Sequence, residues 1–328
     1  MNARTSRILA VAAALLTVAS VSAAESEWLL RLGLEKGGTH RFAMSQTQNM
    51  DIDMGAMGRQ QMENSSRMEF LQAVEEVMSD GSFVLDTAFG RMQSKMGLGG
   101  MTMEFDTEDA KQTSHPVAIF QNFMKGKHFF VTMTPRGLVR SVAGLDAIFA
   151  DLSEALPDQP GMLQAIEAVK QGFGAEATTT LMQQAVVTYP EDAVAIGDTW
   201  HQELRLPNPA LGDLTIKRDY TVEGTERMRE RDCLRLGVAA TIEFEGKGPA
   251  FAQLGQMLGA EVALEVGEAS GKGTVWIDGA SGLVVLSKST QTIEIDMSLQ
   301  KSGGGEAEGQ DLDMHATVTQ HVEVELLD

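Results

Sequence analysis

Methionine is the residue type that most invites a chemical reading of this chain. The stretch MSQTQNMDIDMGAMGRQQMENSSRM, residues 44–68, holds six methionines, and eleven of the chain's 20 fall between Met44 and Met103. Thioether sulfur is a soft, uncharged ligand that selects Cu(I). Met54 and Met57 have the M-x-x-M spacing of a Cu(I) carrier. The remaining spacings argue differently. Met44, Met50 and Met54 share one parity, so on a strand they share one face, and four residues span ~13 Å, too far for one ion. Only the turn pair, or a cross-strand pair such as Met50 with Met62 or Met68, could converge. Thioethers are also flexible and polarizable, which suits core packing or a surface that fits varied apolar partners. Three readings stand: a metal site at Met54 and Met57, apolar core filler, and a soft groove for a hydrophobic ligand.

Other reactive groups are sparse. The six histidines are His40, His115, His128, His201, His315 and His321, and none stands in an H-E-x-x-H or similar ligand spacing. His315 and His321 share a strand face but lie ~20 Å apart. No G-x-S-x-G elbow is present, and a lone cysteine, Cys233, excludes C-x-x-C chemistry. GEASGKGT (residues 267–274) resembles a phosphate loop but places Gly273 after Lys272 and leads into a strand, where no helix N-terminus could hold phosphate. DIDMG at Asp51 begins like a calcium loop, yet Gly55 stands where an oxygen ligand is needed. No pair of carboxylates is held at a defined spacing, so hydrolysis has no warrant. A non-enzymatic protein without a cofactor is expected.

The chain's ends and charge bound its surroundings. Arg4 and Arg7 precede an apolar run from Ile8 to Val21 and a small-residue site at Val21-Ser22-Ala23. This is the pattern of a cleaved signal peptide, residues 1–23, too short and wrongly flanked for a stable membrane span. No cysteine follows it, so lipidation is not expected, and the mature chain is assigned to the periplasm or the exterior. The net charge of −20 repels nucleic acid and anionic membrane surfaces. Cys233 cannot form an internal disulfide, and alternation sets it on the face opposite Leu234 and Leu236 as a buried thiol.

The elements that must carry these residues are mostly strands. From His40 to Met54 the even positions are His40, Phe42, Met44, Gln46, Gln48, Met50, Ile52 and Met54, and the odd ones are polar or small. That is the period of a half-buried antiparallel strand. A second strand carries Met62, Met68 and Phe70 against Glu63, Arg67 and Glu69, and Asp80-Gly81 turns into a third, Phe83 to Met96. Leu234 to Phe244, Ile293 to Leu299 and Leu312 to Leu326 alternate in the same way. Residues 302–310 (SGGGEAEGQ) read as a flexible connection between the last two strands. Helical spacing occurs after Pro116 (Ile119, Phe120, Phe123, Met124), from Leu145 to Leu156, after Pro160, over 176–186 and after Pro249.

Two strand-rich blocks, about 37–143 and 197–328, resemble each other loosely. Each opens on GGTH or GDTW and closes on a hairpin with Gly-Leu-Val in its turn, at TMTPRGLV and DGASGLVV. A helical insert at about 144–187 separates them within one domain, 24–328. The fold class expected is α+β, mainly antiparallel β: one large curved sheet, a half-barrel of about ten or more strands, wrapped over a few amphipathic helices.

The motifs TQNMDIDM (47–54), TMTPRGLV (132–139) and GDTW (197–200) resemble those of an uncharacterised family of secreted bacterial β-rich proteins. The resemblance implies a fold and brings no activity and no site residues. The architecture also looks like the periplasmic lipoprotein-carrier and lipid-carrier half-barrels, by pattern alone. The leading expectation is a binding protein for a lipid or acyl chain. Its groove would be lined by Met44, Met50, Met54, Met62 and Met68 and opposed by Phe120, Phe123 and Phe149. The alternatives are an envelope protein with a packed core that docks a protein partner, and a Cu(I) binder.

Overall fold

The computed structural model describes residues 27–55, 58–98, 101–109, 116–155, 178–179, 182–183, 186–206, 213–245, 260–301 and 312–327. The signal-peptide segment, Met57, the helices expected after Pro160 and Pro249, and the 302–310 connection lie outside them or largely so.

Strict two-residue alternation produces long strands. They are β1 (Thr39–Asp53), β2 (Arg59–Val77), β3 (Phe83–Leu98), β4 (Met101–Asp106), β5 (His128–Met133), β6 (Val139–Ala143), β7 (Thr199–Leu206), β8 (Asp213–Met228), β9 (Arg231–Glu245), β10 (Ala260–Asp278), β11 (Val284–Lys301) and β12 (Leu312–Leu326). All belong to one open, curled, antiparallel sheet in the order β6-β5-β3-β2-β1-β12-β11-β10-β9-β8-β7, with β4 also on β3. The fold class is the one the alternation predicts. Two helices, α1 (Pro116–Met124) and α2 (Leu145–Ala155), are described.

Each strand turns one side chain set inward. A first cluster joins Phe83, Leu85, Phe89, Met92, Phe129, Val131 and Val142 of the strands to Met124 of α1 and Ile148, Phe149 and Leu152 of α2. Two of its rings, Phe89 and Phe129, are tilted by 36° with centroids 5.0 Å apart. A second cluster gathers Tyr220, Val222, Leu234, Leu236, Val275 and Ile277 beneath Leu30, Val187, Tyr189 and Val194. Leu32 touches both clusters. A third, of Leu204, Ile216, Ile242 and Ala269, lies farther along β7–β10.

The first two clusters are closed by two straps, residues 28–34 and 187–194, which pair through the bridge of Trp28 with Val194. The straps cross the β5–β6 and β10–β11 turns, which come from opposite halves of the sheet. Leu32 N donates to Pro135 O at 2.7 Å, Gly33 N to Ser281 O at 2.8 Å, and Tyr189 N to Arg136 O at 2.8 Å. The Tyr189 hydroxyl, fully buried, donates to Gly282 O at 2.5 Å. Arg31 Nη1 donates to Pro190 O at 2.7 Å and binds the straps to each other. Gly282 sits at φ 70° directly under the Arg31 carbonyl, and a Cβ there would overlap it. The β8–β9 turn places Arg229 and Glu230 at φ 47° and 67°, the left-handed pair of a two-residue hairpin turn. Arg229 repays that strain by donating to Leu326 O and to Glu325 Oε2, which ties the turn to the end of β12.

The strap contact predicts a graded glycine response. Gly37, at φ 82° with open space around it, should lose only the left-handed strain on Gly37→Ala, ~1–2 kcal/mol. Gly282→Ala should lose that plus a steric term of ~1–3 kcal/mol. Urea unfolding of both variants measures the difference. Equal losses would show that the strap does not press on this turn.

Candidate functional site

Strand register places the methionines in pairs. Met44 faces Met68, and Met50 faces Met62, across β1 and β2. Met68 continues to Met92 on β3, and Met50 continues to Val318 on β12. All belong to the inner face, the one that carries the core clusters. Met54 follows the end of β1, its backbone N–H donating to Gly58 O at 3.0 Å. The expected Met54 and Met57 site cannot be drawn, since Met57 lies outside the described residues. Among the described residues no group of three or more His, Cys, Asp or Glu side chains could hold a metal ion.

The inner face is not uniformly apolar. It is divided into three tiers running across the strands. Near the straps, Phe42, Met44, Met68, Phe70 and Met92 belong to the apolar upper tier. A polar band follows. Gln46 faces Ser66, which faces Ser94, and Gln48 faces Asn64 on one side and Gln320 on the other. Gln320 faces Gln291, and at the far end Arg218 faces Gln202. Beyond the band the face turns apolar again: Met62, Met50, Val318 and Ile293 stand in register, with Ile52, Ala316 and Ile295 one step farther out.

The residues expected to line one groove therefore fall into two groups. Met44 and Met68 stand above the polar band, and Met50, Met54 and Met62 below it. Phe120 and Phe123 of α1 pack against the first cluster together with Met68. Phe149 is 1 % exposed and fills that cluster from α2. The three phenylalanines thus oppose Met68 and not Met50 or Met62. In the lower tier, Ile216, Ile242, Leu204 and Val318 are buried, whereas Met50, Ile52, Met62, Ile293, Ile295, Met297 and Met314 keep partial exposure.

Much of the polar band is bonded within the protein. The buried Gln202 accepts from the Tyr220 hydroxyl at 2.9 Å and donates to Thr188 Oγ1 at 2.9 Å. Tyr220 stacks on Trp200, with ring centroids 5.0 Å apart. On α1, Gln121 Nε2 donates to Ser94 Oγ at 3.0 Å. Its Oε1 is buried without a hydrogen-bond partner. Sequence reading missed Gln121, because a polar residue inside one helical turn carries no parity signal. Gln46 and Gln48 were visible as polar interruptions on an otherwise apolar parity.

The opposite face is hydrophilic. Shallow depressions of about 600 and 510 Å³ adjoin at Ser45 and Thr47. The first is bordered by Lys272, Thr274, Lys288, Thr290, His321 and Glu323. The His128, His201 and His315 rings hydrogen-bond the carboxylates of Asp86, Asp219 and Asp296 at 2.9, 3.0 and 2.7 Å. His321 Nδ1 lies 2.9 Å from Thr290 Oγ1. Cys233 is buried, and burial pushes its thiol pKa up. Glu325 is gripped by Arg229 at 2.6 Å and Arg67 at 2.7 Å. The Arg229 hydrogen bond, helped by Arg67, holds its carboxyl below the usual glutamate value.

A family model described as a family of unknown function, DUF6263, matches residues 80–284, more than half of the 328-residue chain. The chain belongs to that family, as its motifs led one to expect of an uncharacterised β-rich group. No curated protein matches it. Among solved structures it is similar to lipovitellin at 9 % identity, covering 90 % of this chain and 25 % of that one, with a TM-score of 0.43. The chain thus spans about a quarter of lipovitellin's length. A putative outer membrane lipoprotein-sorting protein domain from Vibrio parahaemolyticus aligns at 10 % identity over 87 % of this chain and 83 % of that one, with a TM-score of 0.14. A DUF1329 family protein from Desulfovibrio piger aligns at 8 % identity over 88 % and 86 %, with a TM-score of 0.13. Scores this low define neither a shared function nor a shared ligand. No helix among the described residues is long and apolar enough to cross a membrane.

The Glu325 clamp sets a pH dependence. A carboxyl whose folded pKa lies below its unfolded one stabilises fully above the unfolded value and loses that contribution as pH falls through the folded one. Glu325→Gln should therefore lower thermal stability at pH 7, and the gap to wild type should close as pH falls below about 4.5. Melting curves from pH 7 to pH 3 follow it. A gap that stays constant with pH would mean the charge is not what holds the β12 end.

Proposed function

We propose that this is a non-enzymatic periplasmic or secreted binding protein that shelters a lipid or acyl chain on the lower apolar tier of its inner face. The observation that carries the reading is the half-exposed row of Met62, Met50 and Ile293, extended by Ile52, Ile295, Met297 and Met314. Burying such apolar surface releases ~25 cal/mol per Å², so a row of this kind rewards an apolar occupant without any bond-making. Methionine supplies adaptable contact at low strain, which suits chains of varied length and unsaturation. The upper tier supports the same reading by contrast. There α1, α2 and the straps fill the inner face, so that Met92 and Met124 are 2 % and 1 % exposed. Reversible burial of a chain, with release by exchange to another surface, is the mechanism.

Native mass spectrometry of the full chain purified from its own source tests this directly, with an acyl-bearing molecule as the expected companion. Met50→Glu should cut displaceable binding of a fluorescent apolar probe by about tenfold or more, because a carboxylate would then face the buried chain. The variant should keep the wild-type far-UV spectrum, since Met50 is not a closed-core residue. No co-purifying amphiphile together with unchanged probe binding in Met50→Glu would overturn the proposal.

A further inference from the structure

An apolar shelter has no use for the polar band that borders it. Asn64, Gln48, Gln320 and Gln291 occupy facing positions on four successive strands, β2, β1, β12 and β11. Ser66, Gln46 and Ser94 stand in the neighbouring row. Each amide brings both donors and an acceptor. All four are part-exposed, and an occupant that covers them must hydrogen-bond them. Leucine at these positions would have continued the apolar tiers and made no such demand.

The band also holds an orphan. Gln121 spends its amide nitrogen on Ser94 Oγ, and its Oε1 is buried with no partner. Exchanging the amide oxygen and nitrogen would merely convert the orphan acceptor into an orphan donor. A buried polar atom left over in this way calls for a donor that the chain does not supply, a water or a ligand hydroxyl.

We infer that the amide band receives the polar head of a single-chain amphiphile, an uncharged head bearing hydroxyl groups, whose chain lies on the lower tier. This inference rests on the acyl-chain reading above. The spacing suits it, because Gln48 stands ~7 Å from Met50 and ~20 Å from Met54 along β1. A head seated at the band thus directs its chain over Met50, Met62 and Ile293. Amides and hydroxyls match neutral donors and acceptors. Arg218, a charged side chain in the band, is engaged by Tyr220. The net charge of −20 disfavours an anionic head over the long range.

The test displaces N-phenylnaphthylamine from the full chain with two probes of identical chain length, monopalmitoylglycerol and methyl palmitate. Monopalmitoylglycerol should displace it at about tenfold lower concentration, the worth of one or two net hydrogen bonds. The triple variant Gln48→Leu, Gln291→Leu, Gln320→Leu should bring the two probes to within about twofold, with methyl palmitate unchanged. Gln121→Met, a single replacement on α1, should remove part of the preference by itself and decides the matter if the triple variant does not fold. Equal displacement by both probes in wild type would overturn the head-group inference and leave the acyl-chain reading standing. Displacement by neither would overturn both.

Discussion

The sheet holds its curl because two short straps cross two hairpin turns that belong to opposite halves of it. Leu32 N to Pro135 O and Gly33 N to Ser281 O are successive bonds from one strap to two distant turns. Their effect is to bring β5–β6 and β10–β11 together over the first two clusters. An open twelve-stranded sheet has edges and could flatten; crosslinks of this kind fix its curvature. Tyr189 adds a buried hydroxyl bond to Gly282, and Arg31 locks one strap to the other. Leu32, which touches both clusters, is the apolar counterpart of the same joint.

Fixing the curl at one end gives the inner face its polarity along the strands. Near the straps, side chains are closed over by α1, α2 and the straps themselves. Farther out, the same parity emerges half-exposed and rich in methionine. Between the two runs the band of Gln, Asn and Ser. A sheet whose inner face served packing alone would have no reason to interrupt itself with amides on four adjoining strands. The tiering of apolar, polar and again apolar therefore links the fold to the proposed handling of an amphiphile.

Much of this order could be read from parity. The alternation from His40 to Met54 set Met44 and Met50 on one face and showed Gln46 and Gln48 interrupting it. Family membership and fold class followed from similarly short motifs and regular strands. Other features could not be read. The bulge between Met68 and Phe70 shifts the inner set of β3 from Met92 to Phe89, and a bulge has no residue signature beyond a nearby Gly90. The pairing of β1 with β12 joins the two ends of the chain, a long-range choice that alternation does not encode. The straps were invisible because their decisive bonds are made by backbone atoms, which every sequence has. Nor could it be read that Phe120, Phe123 and Phe149 join the cluster that Met68 packs against: helical spacing shows which side of a helix is apolar, not which tier it meets.

Central to the proposed function is that the lower tier is the surface that takes an acyl chain. Methyl-labelled methionine resonances of the full chain, followed while monopalmitoylglycerol is added, test it most directly. The methyl signals of Met50, Met62, Met297 and Met314 should shift together and saturate, while those of Met92 and Met124 stay in place. Absence of shifts, or shifts limited to the exposed Met103, would contradict it.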